Sequence, residues 1–338
     1  MAVPIARGVG PPPLLALLAD GAVHSGERLA ADLNLSRAAV WKAVGRLRSL
    51  GIDVQSLPRR GYRLAQPVEL LDAQRIIGAL TSEHAARIES LELPFEIDST
   101  NSRLAAAVPP PFGRLRVCLG ELQTAGRGRR GRSWLAPFGS GVAMSLGWSV
   151  SEAARVGPSL SLGVGVAVAG ALERCGAGGI RLKWPNDIWH EDRKIGGILV
   201  ELKAEAGGPA YVVIGIGINV RLTDSARRQI AATGTVAGAV ADACREPPSR
   251  NAVAAAVLGE VVRMLDTYER EGFPALARRW SGLDALAGRA ASLQIGAEVF
   301  AGIARGVDTD GALLLEGAGG TRRFVSGEAS LRLAAGVA

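Results

Sequence analysis

Residues 121–134 read ELQTAGRGRRGRSW, with glycines at 126, 128 and 131, arginines at 127, 129, 130 and 132, and a closing tryptophan. Glycines in such a run cannot pack a core; they give backbone freedom and let a ligand approach closely. The arginines add fixed positive charge and forked donors that suit phosphate and carboxylate groups. The stretch therefore predicts an anion-binding loop. By composition alone a disordered basic loop or a nucleic-acid patch would look the same, so the flanking sequence has to decide.

Downstream, residues 141–150 and 180–184 read as strands, the second running into Pro185-Asn186-Asp187. The K-W-P-N-D run sets a lysine, an amide and a carboxylate where a strand gives way to a turn. Asp187 suits Mg²⁺, which takes one or two carboxylates and completes its shell with substrate phosphate oxygens and water, although Asn-Asp after proline is also an ordinary turn. Lys194 opens KIGGILVELK, which pairs in a hairpin reading with YVVIGIGINV. Gly196, Gly197, Gly215 and Gly217 weaken strands and mark either bulges or close approach of a ligand. Of 39 basic residues only four are lysine, at 42, 183, 194 and 203. Where lysine persists in so arginine-biased a chain, a compact ammonium suits the site better than a fork, which singles out Lys194.

Upstream, residues 95–101 read FEIDSTN, a strand running into Ser99, Thr100 and Asn101, with a helix expected from about Ser102. These side chains offer hydroxyl and amide hydrogen bonds at a strand end; a simple helix cap is the alternative.

Three hundred and thirty-eight residues suggest two or three domains, and 48% hydrophobic content supplies their cores. Three scattered cysteines, at 118, 175 and 244, spell neither a disulfide framework nor a metal motif, which suits a reducing cytoplasm. No export signal is expected from the proline run at 11–13, and the apolar stretch 160–172 is too short for a membrane span and reads as a buried helix.

Residues 1–67 hold nine Lys/Arg against four Asp/Glu, most of the chain's net charge of +7. Helices are expected over 14–20, over 26–33 after Ser25, and over 37–50 after Ser36, with Gly51 as terminator. On the third, Val40, Ala43, Val44, Leu47 and Leu50 face inward, while Arg37, Trp41 and Lys42 face out. Strands at 52–57 and 61–64 flank Pro58-Arg59-Arg60. Three helices and a basic hairpin make a winged helix-turn-helix with a nucleic-acid surface at Ser36, Arg37, Trp41, Lys42, Arg59 and Arg60. A helical linker is expected over 70–80. At the other end, helices over 251–271 and 273–280 precede short alternating segments from 291 to 333, with a tight turn at Asp310-Gly311, which suggests an SH3-like barrel.

Taken jointly, DSTN at 98–101, QTAGRGRRGRSW at 123–134, KWPNDIWHEDRKIGGILVEL at 183–202 and GIGIN at 215–219 resemble the family of bifunctional biotin protein ligases and biotin operon repressors. The resemblance extends from HSGERLAADLNLSRAAVWK at 24–42 to GEASLR at 327–332. It implies an α/β multidomain chain: a winged helix-turn-helix over 1–67, a central α+β biotin/lipoate ligase-type catalytic domain over 68–286, and an SH3-like β barrel over 287–338. It implies that biotin and ATP are joined to biotinyl-5′-AMP with Mg²⁺, and that biotin passes to a lysine of the biotin carboxyl carrier protein of acetyl-CoA carboxylase. Ser99, Thr100, Asn101, Gln123, Arg127, Gly128, Arg129 and Lys194 would hold biotin, with Lys194 and Arg129 catalytic. Trp134, Asn186 and Asn219 would serve the nucleotide, and Asp187 the metal. Operator DNA of biotin synthesis genes and a homodimer in the adenylate-bound state would be the other partners. One departure is that residues 221–243 are alanine-rich and carry no aromatic for adenine. A ligase without repressor activity, a ligand-sensing regulator without ligase activity and a lipoate ligase are the alternatives.

Overall fold

A computed structural model describes residues 3–6, 10–151, 156–157, 159–204, 209–325 and 329–333. The chain starts with a short strand, β1 (Ile5–Ala6), then builds three helices, α1 (Pro13–Leu18), α2 (Gly26–Asp32) and α3 (Arg37–Ser49), and a hairpin, β2 (Val54–Leu57) with β3 (Gly61–Leu64). Ser25 and Ser36 accept from the Arg28 and Ala39 amides at 3.1 Å and so cap α2 and α3. Gly51, at φ +78°, ends α3. Leu14, Leu15, Leu18, Leu29, Val40, Val44 and Leu47 form the small core. Trp41 is 69% exposed, and Arg59 sits at the hairpin tip in a left-handed conformation, φ +61°. The winged helix read from the sequence is present, with β2 starting two residues later than expected.

The expected linker helix over 70–80 shortens to α4 (Ala73–Gly78) because Asp72 caps it, accepting from the Gln74 and Arg75 amides. After α5 (Ser82–Arg87), the strands β4 (Ile88–Glu92), β5 (Glu96–Ile97), β6 (Leu115–Gly120), β7 (Leu122–Gln123) and β8 (Gly141–Val150) follow, with α6 (Thr100–Ala105) between β5 and β6. Next come α7 (Leu160–Arg174), β9 (Ile180–Lys183), β10 (Asp187–His190), β11 (Arg193–Ala204), β12 (Ala210–Asn219), α8 (Asp224–Ala231), α9 (Arg250–Glu271) and α10 (Pro274–Leu283). Eight strands form one sheet in the order β1-β4-β6-β8-β12-β11-β10-β9. Ile5, inside the segment expected to belong to the small domain, thus pairs in parallel with Leu91 at the edge of the central sheet.

Period two along the middle strands separates two environments. Val142, Met144, Leu146 and Trp148 of β8 and Val212, Ile214, Ile216 and Ile218 of β12 join the core beneath α7 and α9. Their alternates include Ala143, Ser145, Gly147, Gly215, Gly217 and Asn219, with Gly197 and Glu201 of β11 in the same register, while Tyr211 and Val213 pack with Leu104 of α6 at the other end of this face. The second face is therefore shallow over the small residues, and α6 lies on it.

The C-terminal strands β13 (Ala290–Ile295), β14 (Glu298–Val307), β15 (Leu313–Gly317), β16 (Gly320–Phe324) and β17 (Ala329–Leu333) form an antiparallel sheet ordered β16-β15-β14-β13-β17. Its Leu293, Ala304 and Leu315 belong to the same core as the central domain. Gly311, at φ +81°, presses so close to α7 that an added Cβ would lie 2.6 Å from Ser159 Cβ, and its carbonyl accepts from Trp184 Nε1 at 3.0 Å. Among the described residues no helix is long and apolar enough to cross a membrane.

Two buried charges mark where this packing is vulnerable. Arg250 donates from Nη1 to Glu121 Oε1 at 2.6 Å and to the Glu69 carbonyl at 2.7 Å, and from Nε to the Gly141 carbonyl at 2.9 Å; both side chains of the pair are almost wholly enclosed. Arg250→Met leaves the Glu121 carboxylate buried without its partner, and a loss of about 3–5 kcal/mol is expected in urea unfolding; an unchanged midpoint would contradict it. At the end of α10, burial pushes the Asp284 carboxyl up to about 6, the amides of Leu286 and Ala287 only partly opposing. The folded chain then holds this proton more tightly than the unfolded one. Its contribution is most favourable below the ordinary carboxylate value of 3.8, declines as pH rises to about 6, and is a constant cost above that. Asp284→Asn is expected to raise stability at pH 7 by about 2–3 kcal/mol while leaving pH 4 nearly unchanged; equal shifts at both pH values would refute this.

Candidate functional site

The shallow face of β8, β12 and β11 forms the floor of a cleft whose rim carries the glycine-arginine loop. Ser99, Thr100, Asn101, Gln123, Arg127, Gly128, Arg129, Trp134, Asn186, Asp187, Lys194 and Asn219 all line it. The residues singled out from four separated stretches of sequence are thus brought to one place.

At one end, Ser99 is the N-cap of α6, accepting from the Ser102 amide. The strand that runs into this cluster, β5, ends at Ile97, and the helix expected from about Ser102 begins earlier, with Thr100 and Asn101 as its first residues. The cap explains it, since Ser99 is extended and its hydroxyl satisfies an orphan amide of the first turn. Gln123 Oε1 accepts from the Thr100 amide at 2.9 Å. Ser145, wholly buried on β8, donates to Asn101 Oδ1 at 2.6 Å and lies 2.7 Å from Thr100 Oγ1. Asn101 Nδ2 donates to Glu201 Oε2 at 2.9 Å. Ser145 and Glu201 escaped the sequence reading. The one signal for them was alternation: M-S-L-G-W and I-L-V-E-L each place a polar residue at a site-facing position of a strand.

The loop is a small hairpin. Trp134 N donates to the Gly126 carbonyl at 2.8 Å, Gly128 N to the Arg132 carbonyl at 2.7 Å, and Arg127 bridges Ser133. Arg130 and Gly131 turn it, both with positive φ. Arg127 reaches Glu201 with both terminal nitrogens, at 2.7 and 3.2 Å. Arg129 Nη1 donates to Asn186 Oδ1 at 3.4 Å. Burial first, and then the charge of Arg130, hold the Arg129 guanidinium below its ordinary value, with Asp187 acting the other way; it remains protonated at neutral pH.

The strand glycines Gly197, Gly215 and Gly217 line the cleft, and two of them also make room for side chains of the protein itself. Gly197 and Gly217 are direct cross-strand partners, and a Cβ on Gly217 would overlap the Trp134 indole. A Cβ on Gly215 would overlap the Asn101 carboxamide. These glycines admit the protein's own site side chains, which then face the cleft.

At the far end, Lys194 Nζ lies 2.6 Å from Asp187 Oδ1 and 5.8 Å from the centre of a Trp134 ring. Asn186 Nδ2 donates to the Ile198 carbonyl at 2.8 Å, which fixes the Pro185-Asn186 turn against β11. Asn219 donates to the Gly238 carbonyl at 3.1 Å, whereas its buried Oδ1 has no partner. Residues 221–243 form α8 and a return loop, and Ile230, Thr233 and Thr235 close this end of the cleft. Asp187 is the one carboxylate among the described lining residues, against Arg127, Arg129, Arg132, Lys183 and Lys194. Such a cleft draws in polyanions. Among the described residues no group of three or more His, Cys, Asp or Glu side chains is placed to hold a metal, so a cation here would depend on Asp187 together with ligand oxygens.

In the winged helix, Ser36 and Arg37 stand at the N-terminus of α3, Trp41 and Lys42 on its exposed face, and Arg59 and Arg60 at the hairpin tip. They form a surface separate from the cleft.

Comparison with known proteins agrees with this division. An HTH domain model matches residues 14–63, the biotin/lipoate A/B protein ligase family matches 97–219, and the biotin protein ligase C-terminal domain matches 288–332. A protein named bifunctional ligase/repressor BirA from Salmonella typhimurium is 42% identical over 327 residues, covering 95% of this chain and 97% of its own. The protein of that name from Escherichia coli K12 is 41% identical over the same shares. The biotin protein ligase from Aquifex aeolicus, solved in complex with biotin and ATP, aligns with a TM-score of 0.61 at 26% identity over 72% of this chain and 99% of that one. With the cleft, the winged helix and the C-terminal strands all matched in one chain, the protein belongs to the family of bifunctional ligase/repressor BirA proteins.

Proposed function

We propose that this chain joins biotin and ATP to biotinyl-5′-AMP, transfers the biotinyl group to a lysine of a carrier protein, and represses transcription through its winged helix. The observation that carries the reading is the cleft itself: a buried hydroxyl-and-amide pocket opens directly onto a cationic channel. In the first step a biotin carboxylate oxygen attacks the α-phosphorus of ATP, the bond to the bridging oxygen breaks, and pyrophosphate leaves. In the second the carrier amine attacks the acyl carbon and AMP leaves. The mixed anhydride is already activated, so no side-chain nucleophile is needed.

Ser99, Thr100, Asn101 and Gln123 would satisfy the polar atoms of the biotin head group, whose burial demands partners. Lys194 would lie at the junction of carboxylate and α-phosphate, where its charge stabilises what develops there, and Arg129 would act beside it. Arg127, Gly128 and Arg129 would close over the adenylate and keep water out. Trp134, Asn186 and Asn219 would serve the nucleotide, the unpaired Asn219 Oδ1 offering an acceptor. Asp187 fits Mg²⁺ as one carboxylate beside substrate phosphates, and the ion would offset their charge.

The carrier would be the biotin carboxyl carrier protein of acetyl-CoA carboxylase, and the compartment the cytoplasm. Ser36, Arg37, Trp41, Lys42, Arg59 and Arg60 would contact operator DNA of biotin synthesis genes, within a DNA-binding domain over 1–67 followed by a catalytic domain over 68–286 and a barrel over 287–338. The adenylate-bound chain would be the one that dimerises.

Transfer of labelled biotin from biotin and MgATP to a carrier domain tests the enzyme. Wild type is expected to transfer, Lys194→Ala and Arg129→Ala to fall by about 10²–10³-fold, and chelation of Mg²⁺ to stop the reaction. Folded wild type that binds biotin but transfers none would favour the sensor, and preference for lipoate the lipoate ligase. For the regulator, sedimentation and footprinting are expected to give dimer and operator protection only when biotin and ATP are both supplied. Self-association indifferent to the adenylate would overturn that link.

A further inference from the structure

Glu201 is absent from the cleft wall, yet two of the cleft's key side chains end on it. Asn101 Nδ2 donates to its Oε2 at 2.9 Å, and Arg127 reaches both of its oxygens, at 2.7 and 3.2 Å. An ionised carboxylate can only accept. Glu201 therefore fixes which end of the Asn101 carboxamide faces it. Ser145 completes the constraint from the other side, because Asn101 Oδ1 cannot donate and the serine proton is directed to it. Gly215, having no side chain, leaves the space in which the carboxamide sits. Asn101 itself is only 3% exposed, so its orientation is held by these neighbours and not by solvent.

The other contact joins this seat to the loop. Arg127 pairs through its backbone with Ser133 across the loop hairpin. Holding the Arg127 guanidinium in a two-point grip therefore holds the hairpin over the cleft. We infer that Glu201 is a positioning residue that couples the orientation of Asn101 to the closed state of the glycine-arginine loop, and so sets how long the adenylate is retained. This rests on the reading that the cleft takes biotin. A loop latched through the head-group seat would make retention of the adenylate depend on a residue that does not touch it.

Glu201→Gln and Glu201→Ala separate the two contacts. Glutamine keeps an acceptor for Asn101 but loses the charge that grips Arg127; alanine loses both. Biotin affinity and the rate of release of preformed biotinyl-5′-AMP are the readouts. Glu201→Gln is expected to bind biotin nearly as wild type but to release the adenylate faster by about tenfold, whereas Glu201→Ala is expected to lose about tenfold in biotin affinity as well. Combining Glu201→Gln with Arg127→Ala is expected to add little to either single change, which a general loss of packing would not reproduce. Glu201→Gln that releases the adenylate at the wild-type rate, or fully additive effects in the double variant, would overturn the inference. Wild type that binds no biotin would instead overturn the reading on which it rests. Should the alanine variant melt early, the near-isosteric glutamine variant and the double variant still decide.

Discussion

A run of small residues over one stretch of one face of β8 and β12 is the constraint from which the site follows. β8 and β12 send Met144, Leu146, Trp148, Ile214 and Ile216 into the core, where each buried aliphatic side chain contributes about 1.5–3 kcal/mol. Where the cleft lies, the alternate positions are Ala143, Ser145, Gly215, Gly217 and Asn219, which leave the opposite face shallow, while further along the same face Tyr211 and Val213 pack with Leu104 of α6. A Trp and an Asn from other elements can then lie flat against the sheet. Stability and recognition are thus carried by opposite faces of the same residues' neighbours, and neither side has to be compromised for the other.

The electrostatics of the cleft follow a similar division. Its cations come from a hairpin loop and from strand ends, and among the described lining residues they meet one carboxylate, Asp187, which is held by Lys194. Part of this charge is paired within the protein, Arg127 with Glu201 and Lys194 with Asp187, and Arg129 is oriented by its hydrogen bond to Asn186 Oδ1. A triphosphate and a carboxylate entering the cleft would compete for donors that are already oriented, which lowers the reorganisation needed at the moment of reaction.

Much of this was legible in the sequence because it is local. The capping serines at 25 and 36, the terminator Gly51, the K-W-P-N-D turn and the glycine-arginine loop each declare themselves within a few residues. The helix start at Ser99 was misplaced because a serine before two further polar residues offers several possible caps, and only the observed backbone chooses among them. Ser145 and Glu201 were invisible for another reason. Their partners lie 44 and 100 residues away, and a lone serine or glutamate within a strand carries no sign of the contact it will make. The glycines of β11 and β12 were noticed, but that Trp134 and Asn101 press against them was not, since sequence reveals that something approaches closely and not what.

The path of the chain at its N-terminal end has a consequence for modularity. Ile5 and Ala6 lie in the central sheet, the winged helix follows, and the chain returns at Glu69, whose carbonyl and carboxylate hold Arg250 and Asn251. Glu121, the residue that opens the approach to the glycine-arginine loop, is fixed by the same arginine. The segment ahead of the winged helix is thus tied to the central sheet through the two residues of β1. A cut placed just after the wing would remove the two-residue edge strand β1 but keep the contacts of Glu69 with Arg250 and of Arg250 with Glu121, so the piece left behind would lose a sheet edge and keep the anchor at the start of the loop.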